Sequence, residues 1–139
     1  MVQTEQPQRI STPGEPWSQN LISSGFRVGD LIVTAGQVAV DESGEVIGAG
    51  DFDAQIDHVF KRLDEILTAA GASLSDVIKT NIYVTDVANL SKVIEYRKKY
   101  FTAPYPASTL VGVKELVFPE LMVEIEVIAV APTRHAEAR

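Results

Sequence analysis

No cysteine occurs anywhere in the chain. That excludes thiol nucleophiles, disulfides and cysteine-based metal sites, and it fits a reducing compartment. Histidine is nearly as scarce, with two residues, His58 and His135. Neither has partners at ligand spacing, so no metal is expected and each reads as a solvated surface histidine. A Ser-His-Asp triad cannot be built from them with any specificity. Basic residues are in deficit: 12 Lys and Arg against 19 Asp and Glu give a formal net charge of -7. Nucleic acid and anionic membrane both reward clustered Lys and Arg, so neither is an expected partner. Long apolar runs are missing too. No stretch approaches the ~20 residues that span a bilayer. Met1 to Pro16 is polar and proline-rich, without the apolar core of a secretory signal. The expectation is a soluble, cytoplasmic protein. The glycine-rich run Gly44 to Gly50 lacks the Lys-Ser/Thr of a phosphate loop and the order of a dinucleotide turn. It reads as a hairpin-to-helix connection, and no cofactor is implied.

What remains is an ordinary globular composition, 45% apolar and 22% charged over 139 residues, which fits one domain with a real core. The expected organisation is a flexible N-terminal arm over residues 1–16, a single domain over 17–132 and a frayed tail over 133–139.

Periodicity supplies the elements. Leu31 to Val40 is apolar and β-branched and reads as a central strand, interrupted at Ala35-Gly36 where something approaches the backbone closely. Leu21 to Val28 reads as its hairpin partner. Phe52, Ile56, Val59, Phe60, Leu63, Ile66, Leu67 and Ala70 recur at helical spacing, with Asp51 at the N-cap and Gly71 where a left-handed cap belongs. Val77 to Val84 is the next strand. A second helix runs from about Asn89 to Phe101 and is ended by Pro104 and Pro106. Its Arg97, Lys98 and Lys99 suit the helix dipole, which is a sufficient role. Ser108 to Leu116 and Leu121 to Ala131 are the last strands, joined around Phe118-Pro119-Glu120.

This order implies one mixed sheet with two helices on one face, an α+β layer fold. The other face is left bare with large apolar residues, so a homo-oligomer is expected. In the last strand Glu124 and Glu126 share a face with Met122, Ile128 and Val130. Either that face is wet, or a partner chain or small molecule meets it. An acid amid apolar strand residues has a raised pKa and suits general acid/base work. The alternative for Glu124 is a carboxylate paired with a lysine or a backbone amide at a subunit seam.

Several stretches together resemble the Rid family, the reactive intermediate deaminases, also called YjgF or L-PSP. They are Thr34-Ala35-Gly36-Gln37-Val38, Ala69 through Thr80, Tyr83-Val84-Thr85-Asp86, Pro106-Ala107-Ser108-Thr109 and Glu124 through Val130, in family order from about Val28 to Pro132. The resemblance implies a chorismate-mutase-like fold and a homotrimer whose sheets form a central barrel, with ligand clefts between neighbouring subunits. It implies hydrolysis of enamines and imines, such as 2-aminoacrylate, to a carbonyl compound and ammonia. It places the water-handling glutamate at Glu124 and a backbone contact near Gly36.

It also exposes departures. The family's carboxylate-binding arginine falls on Ser108, its serine before Gly-Gln on Ala35, and its cleft-lining helix asparagine on Ile94. The cleft tyrosine has no clean match within Trp17 to Arg27. A serine cannot offer a bidentate charged fork, which forfeits roughly 1.5–3 kcal/mol per charge-assisted bond. The chain thus resembles an arginine-less subgroup. The reading is a Rid-like hydrolase for a small enamine or imine that lacks the usual α-carboxylate or holds it differently. Glu124 is its catalytic residue, and Ser108, Thr109, Ala35, Gly36 and Ile94 line the substrate site. Arg27 and Lys114 are candidates for a replacement cation. The alternative is a non-catalytic trimeric protein that binds a small metabolite. A ribonuclease reading is disfavoured by the acidic balance and the lack of paired histidines.

Overall fold

The longest apolar stripe in the sequence forms helix α1, Phe52–Ala69, in a computed structural model that describes residues 5–133. Asp51 caps its start by accepting a hydrogen bond from the Ala54 amide at 3.0 Å. At its end the amide of Ala72 reaches the Leu67 carbonyl and that of Gly71 reaches Thr68, with Gly71 at φ +81°. This paired closure needs a left-handed residue, which glycine supplies without a Cβ penalty. Ile56, Val59, Phe60, Leu63, Ile66 and Leu67 are all fully buried.

The stripe packs on a six-stranded mixed sheet in the order β1-β2-β3-β6-β4-β5. The strands are β1 Gln8–Ile10, β2 Gly25–Val28, β3 Leu31–Thr34, β4 Val77–Val84, β5 Ala107–Gly112 and β6 Val123–Val130. Only β4 and β5 pair in parallel, joined by helix α2, Leu90–Tyr100. In β6 the residues Val123, Ile125, Val127 and Ala129 join the core beneath α1, so Glu124, Glu126, Ile128 and Val130 face the other way. The two helices are tied at Asp57. It accepts from Lys99 Nζ at 2.8 Å and from the Tyr100 hydroxyl, and pairs with Lys61. Phe60 stacks on Tyr100 with ring centroids 4.6 Å apart.

The α+β layer architecture is the one expected, with differences in extent. The hairpin partner expected over Leu21 to Val28 begins only at Gly25, since Leu21 takes a positive φ of 63° that no strand accommodates. The strand expected over Leu31 to Val40 ends at Thr34. Beyond it, Gln37 keeps a single bridge to Ile125, and Val40 one to Val46. The strand expected over Ser108 to Leu116 ends at Gly112. The arm expected to be loose contains β1: Gln8 pairs with Arg27 and Ile10 with Gly25, and Ile10 is buried in the core. A three-residue strand with one apolar side chain, flanked by Pro7 and Pro13, carries too little alternation to be read from sequence. Most of the tail, including His135, lies outside the described residues.

On the face opposite the helices, Phe26, Leu31, Val33 and Val130 are each 38% to 43% exposed. They form an apolar patch that no element among the described residues covers. Among the described residues, no helix is long and apolar enough to cross a membrane.

Candidate functional site

Register decides which expected site residues meet. Glu124 lies opposite Tyr83, and Asn81 lies opposite both Glu126 and Thr109. All of these point to the bare face. Ser108 lies opposite Thr80, a buried residue on the helix side. Within one chain, Ser108 and Glu124 therefore occupy opposite faces of the sheet, and neighbouring Ser108 and Thr109 also diverge.

On the bare face, the Glu124 carboxylate lies hard against Gly36. A Cβ placed on Gly36 would sit 1.9 Å from its Oε2. The close approach expected at Ala35-Gly36 is thus made by the chain's own glutamate. The segment is fixed by Gln37, whose amide donates to the Ile125 carbonyl at 2.9 Å and whose carbonyl accepts from Ile125 at 3.1 Å. Trp17, Ile22, Ala35, Val38 and Val117 complete a largely apolar recess of about 240 Å³ with Glu124 at its wall. Burial, and next the nearby charge of Glu126, push the Glu124 carboxyl above the ordinary glutamate range. None of the described residues donates a hydrogen bond to it. Glu126 differs: it accepts from the Tyr83 hydroxyl at 2.9 Å, which pushes that phenol upward. Of two adjacent carboxylates, one is satisfied and the other faces an apolar recess.

On the helix side, Ser108 Oγ accepts from Thr80 Oγ1 at 2.8 Å and from Arg97 Nη2 at 3.0 Å. Ile94, three residues before Arg97 on α2, is 40% exposed. Thr109 Oγ1, on the other face, accepts from Lys79 Nζ at 2.8 Å. The candidate replacement cations are elsewhere. Arg27 is spent on backbone carbonyls of Gly29, Ala70 and Ala131. Lys114 is exposed beyond the end of β5. The cation beside Ser108 is Arg97, which sequence reasoning assigned only to the helix dipole. Its spacing from Ile94 was the available signal.

His58 is half-buried rather than freely solvated, with Nε2 3.0 Å from the Val40 carbonyl oxygen. Its helix position reads as polar, but the loop that returns over α1 covers it. No group of three or more metal-ligating side chains occurs among the described residues. Gly44 to Gly50 forms the turn and bridge leading into α1, with Gly44, Gly48 and Gly50 at positive φ.

Comparison with known proteins agrees with this frame. The endoribonuclease L-PSP family model matches residues 11–131. A RutC family protein of Pyrococcus abyssi is 35% identical over 123 residues, covering 88% of this chain and 91% of that protein. A 2-iminobutanoate/2-iminopropanoate deaminase of Dermatophagoides farinae is 31% identical over 125 residues, covering 89% and 97%. The crystal structure of RidA from an Antarctic Psychrobacter superposes with a TM-score of 0.82 at 33% identity, covering 89% of this chain and 99% of that one.

Proposed function

Since the chain belongs to the Rid (YjgF/L-PSP) family, we propose that it is a hydrolase that deaminates a small enamine or imine to a carbonyl compound and ammonia. The observation that carries this reading is the Glu124 carboxylate, raised in pKa, without a hydrogen-bond donor among the described residues and set in an apolar recess against Gly36. A carboxyl poised nearer neutrality can accept a proton and return it. Glu124 takes a proton from water as the oxygen adds to the C=N carbon. The π pair moves to nitrogen, which takes that proton back from Glu124; an enamine enters this step as its imine tautomer. The resulting carbinolamine then collapses: the C–N bond breaks, ammonia leaves and the carbonyl forms. One water is consumed, and nothing is oxidised or reduced.

The working unit in this reading is a homotrimer. Two observations support an assembly: the uncovered apolar patch around Phe26, Val33 and Val130, and the placement of Ser108 and Glu124 on opposite faces of one sheet. A site that uses both needs Glu124 from one copy and Ser108 from its neighbour. Gly36 and Ala35 belong to the Glu124 half, and Ile94 to the Ser108 half. Ser108, where the family pattern has an arginine, cannot itself clamp a carboxylate as a bidentate fork does, so the substrate either lacks that group or is held differently from 2-aminoacrylate. The net charge of -7 favours this reading over cleavage of RNA.

The test is release of ammonia and carbonyl product from imines generated from several amino acids. The wild type accelerates hydrolysis, and Glu124→Gln lowers kcat/KM by about 10²–10⁴-fold. Turnover that Glu124→Gln leaves intact defeats the mechanism. Ligand binding with no turnover on any imine favours a binding protein instead.

A further inference from the structure

Ser108 stands exposed on β5, the edge strand of the sheet. A serine hydroxyl has one hydrogen to donate and two lone pairs to accept with. Both lone pairs are engaged, one by buried Thr80 and one by Arg97. The Ser108 hydrogen is left to donate outward. Arg97 carries donors only. No carboxylate of the described residues pairs with it, although nearby Lys92 and Lys99 each have one. Its Nε–H is buried with no acceptor. An arginine held half-buried without a counter-charge is a cost to the fold, so a structural ion pair does not account for it. The cluster therefore presents donors and positive charge and no acceptor, the complement of a carboxylate. Leu90 and Ile94 lie one turn apart on the same side of α2 as Arg97 and are 44% and 40% exposed. The cation is thus bordered by an aliphatic strip.

We propose that Arg97, delivered from α2 onto Ser108, is the anion anchor of the cleft, and that it selects imines bearing a carboxylate and an aliphatic side chain. The identity of the reacting group rests on the deaminase reading above. The anion site does not. Arg97 acts through binding and takes no part in proton transfer.

Two measurements test this separately. The first is binding of 2-oxobutanoate, a product-like carboxylate, followed by calorimetry on the full-length protein. Arg97→Ala weakens it by about 10- to 100-fold, and Arg97→Lys recovers part of the loss. The second is turnover of a carboxylate-bearing imine against an uncharged aliphatic imine. Arg97→Ala raises KM for the charged substrate at least about tenfold more than for the neutral one, with kcat changed less than KM. Unfolding temperature and oligomeric mass matched to wild type exclude misfolding, and Ser108→Ala serves as a second, milder variant with the same selectivity. Equal losses on both substrates, or 2-oxobutanoate binding unchanged by Arg97→Ala or absent from the wild type, overturn the proposal. Absence of turnover with binding lost in Arg97→Ala sinks the deaminase reading and leaves the anchor standing.

Discussion

Glu124 and Glu126 lie two residues apart on one strand face, yet their surroundings separate their chemistry. Tyr83 donates to Glu126, while Glu124 meets apolar walls and a neighbouring negative charge. The folded pKa of Glu124 is therefore above its unfolded value. The stability associated with the protonated form is present below the ordinary glutamate range and is lost as pH rises through the raised value. In the proposed mechanism activity has the opposite trend, since the base form is needed to take a proton from water. Glu126→Gln removes the repelling charge and lowers the Glu124 pKa, so the acid limb of kcat/KM against pH moves to lower pH. A limb that stays in place would show that Glu124 is not the titrating group. Gly36 is coupled to the same carboxylate. Gly36→Ala puts a methyl group 1.9 Å from Oε2, so the carboxylate must move. The expected result is a loss of about 1–3 kcal/mol in denaturant unfolding, with kcat falling more than KM rises.

The elements explain which parts of the structure were legible. Helix α1 was readable because its stripe, its Asp51 cap and its Gly71 terminus agree. The alternation of β6 was equally plain and put Glu124 and Glu126 on one face. The strand from Leu31 was overextended, since Val38, Ala39 and Val40 are apolar for a different reason. They form a second small cluster with Leu121, under Trp17 and Phe118. Local apolarity does not distinguish a strand from a buried loop. The site was legible only in halves. Sequence singles out Glu124 and Gly36 as candidates, but their contact depends on the register of Gln37 with Ile125. Arg97 escaped because a last-turn arginine has a local explanation in the helix dipole, and its long reach to β5 is a tertiary fact. The junction of the two helices gives a prediction at this scale. Phe60 is fully buried and touches both Tyr100 and Phe101. Phe60→Ala is expected to cost about 3–5 kcal/mol, read by chemical denaturation. A cost below about 1 kcal/mol would mean that α2 is not held through this ring.

At the scale of the whole molecule, one sheet carries the two candidate half-sites on opposite faces. Its helix side offers Ser108, Arg97 and Ile94, and its bare side offers Glu124, Gly36 and the apolar recess. In the assembly proposed above, copies would cover the bare apolar patch and bring unlike halves together in the same step. Subunit complementation tests this most directly. Glu124→Gln removes the acid from one half-site. Ser108→Trp blocks the other at an exposed edge-strand position. Each variant alone is expected to be inactive. When the two are unfolded, mixed in equal amounts and refolded together, random assembly leaves about a quarter of the clefts with both wild-type halves. Recovery of about that fraction of wild-type deaminase activity is the predicted result. No recovery, in mixed oligomers verified by native mass spectrometry, would contradict a site shared between copies.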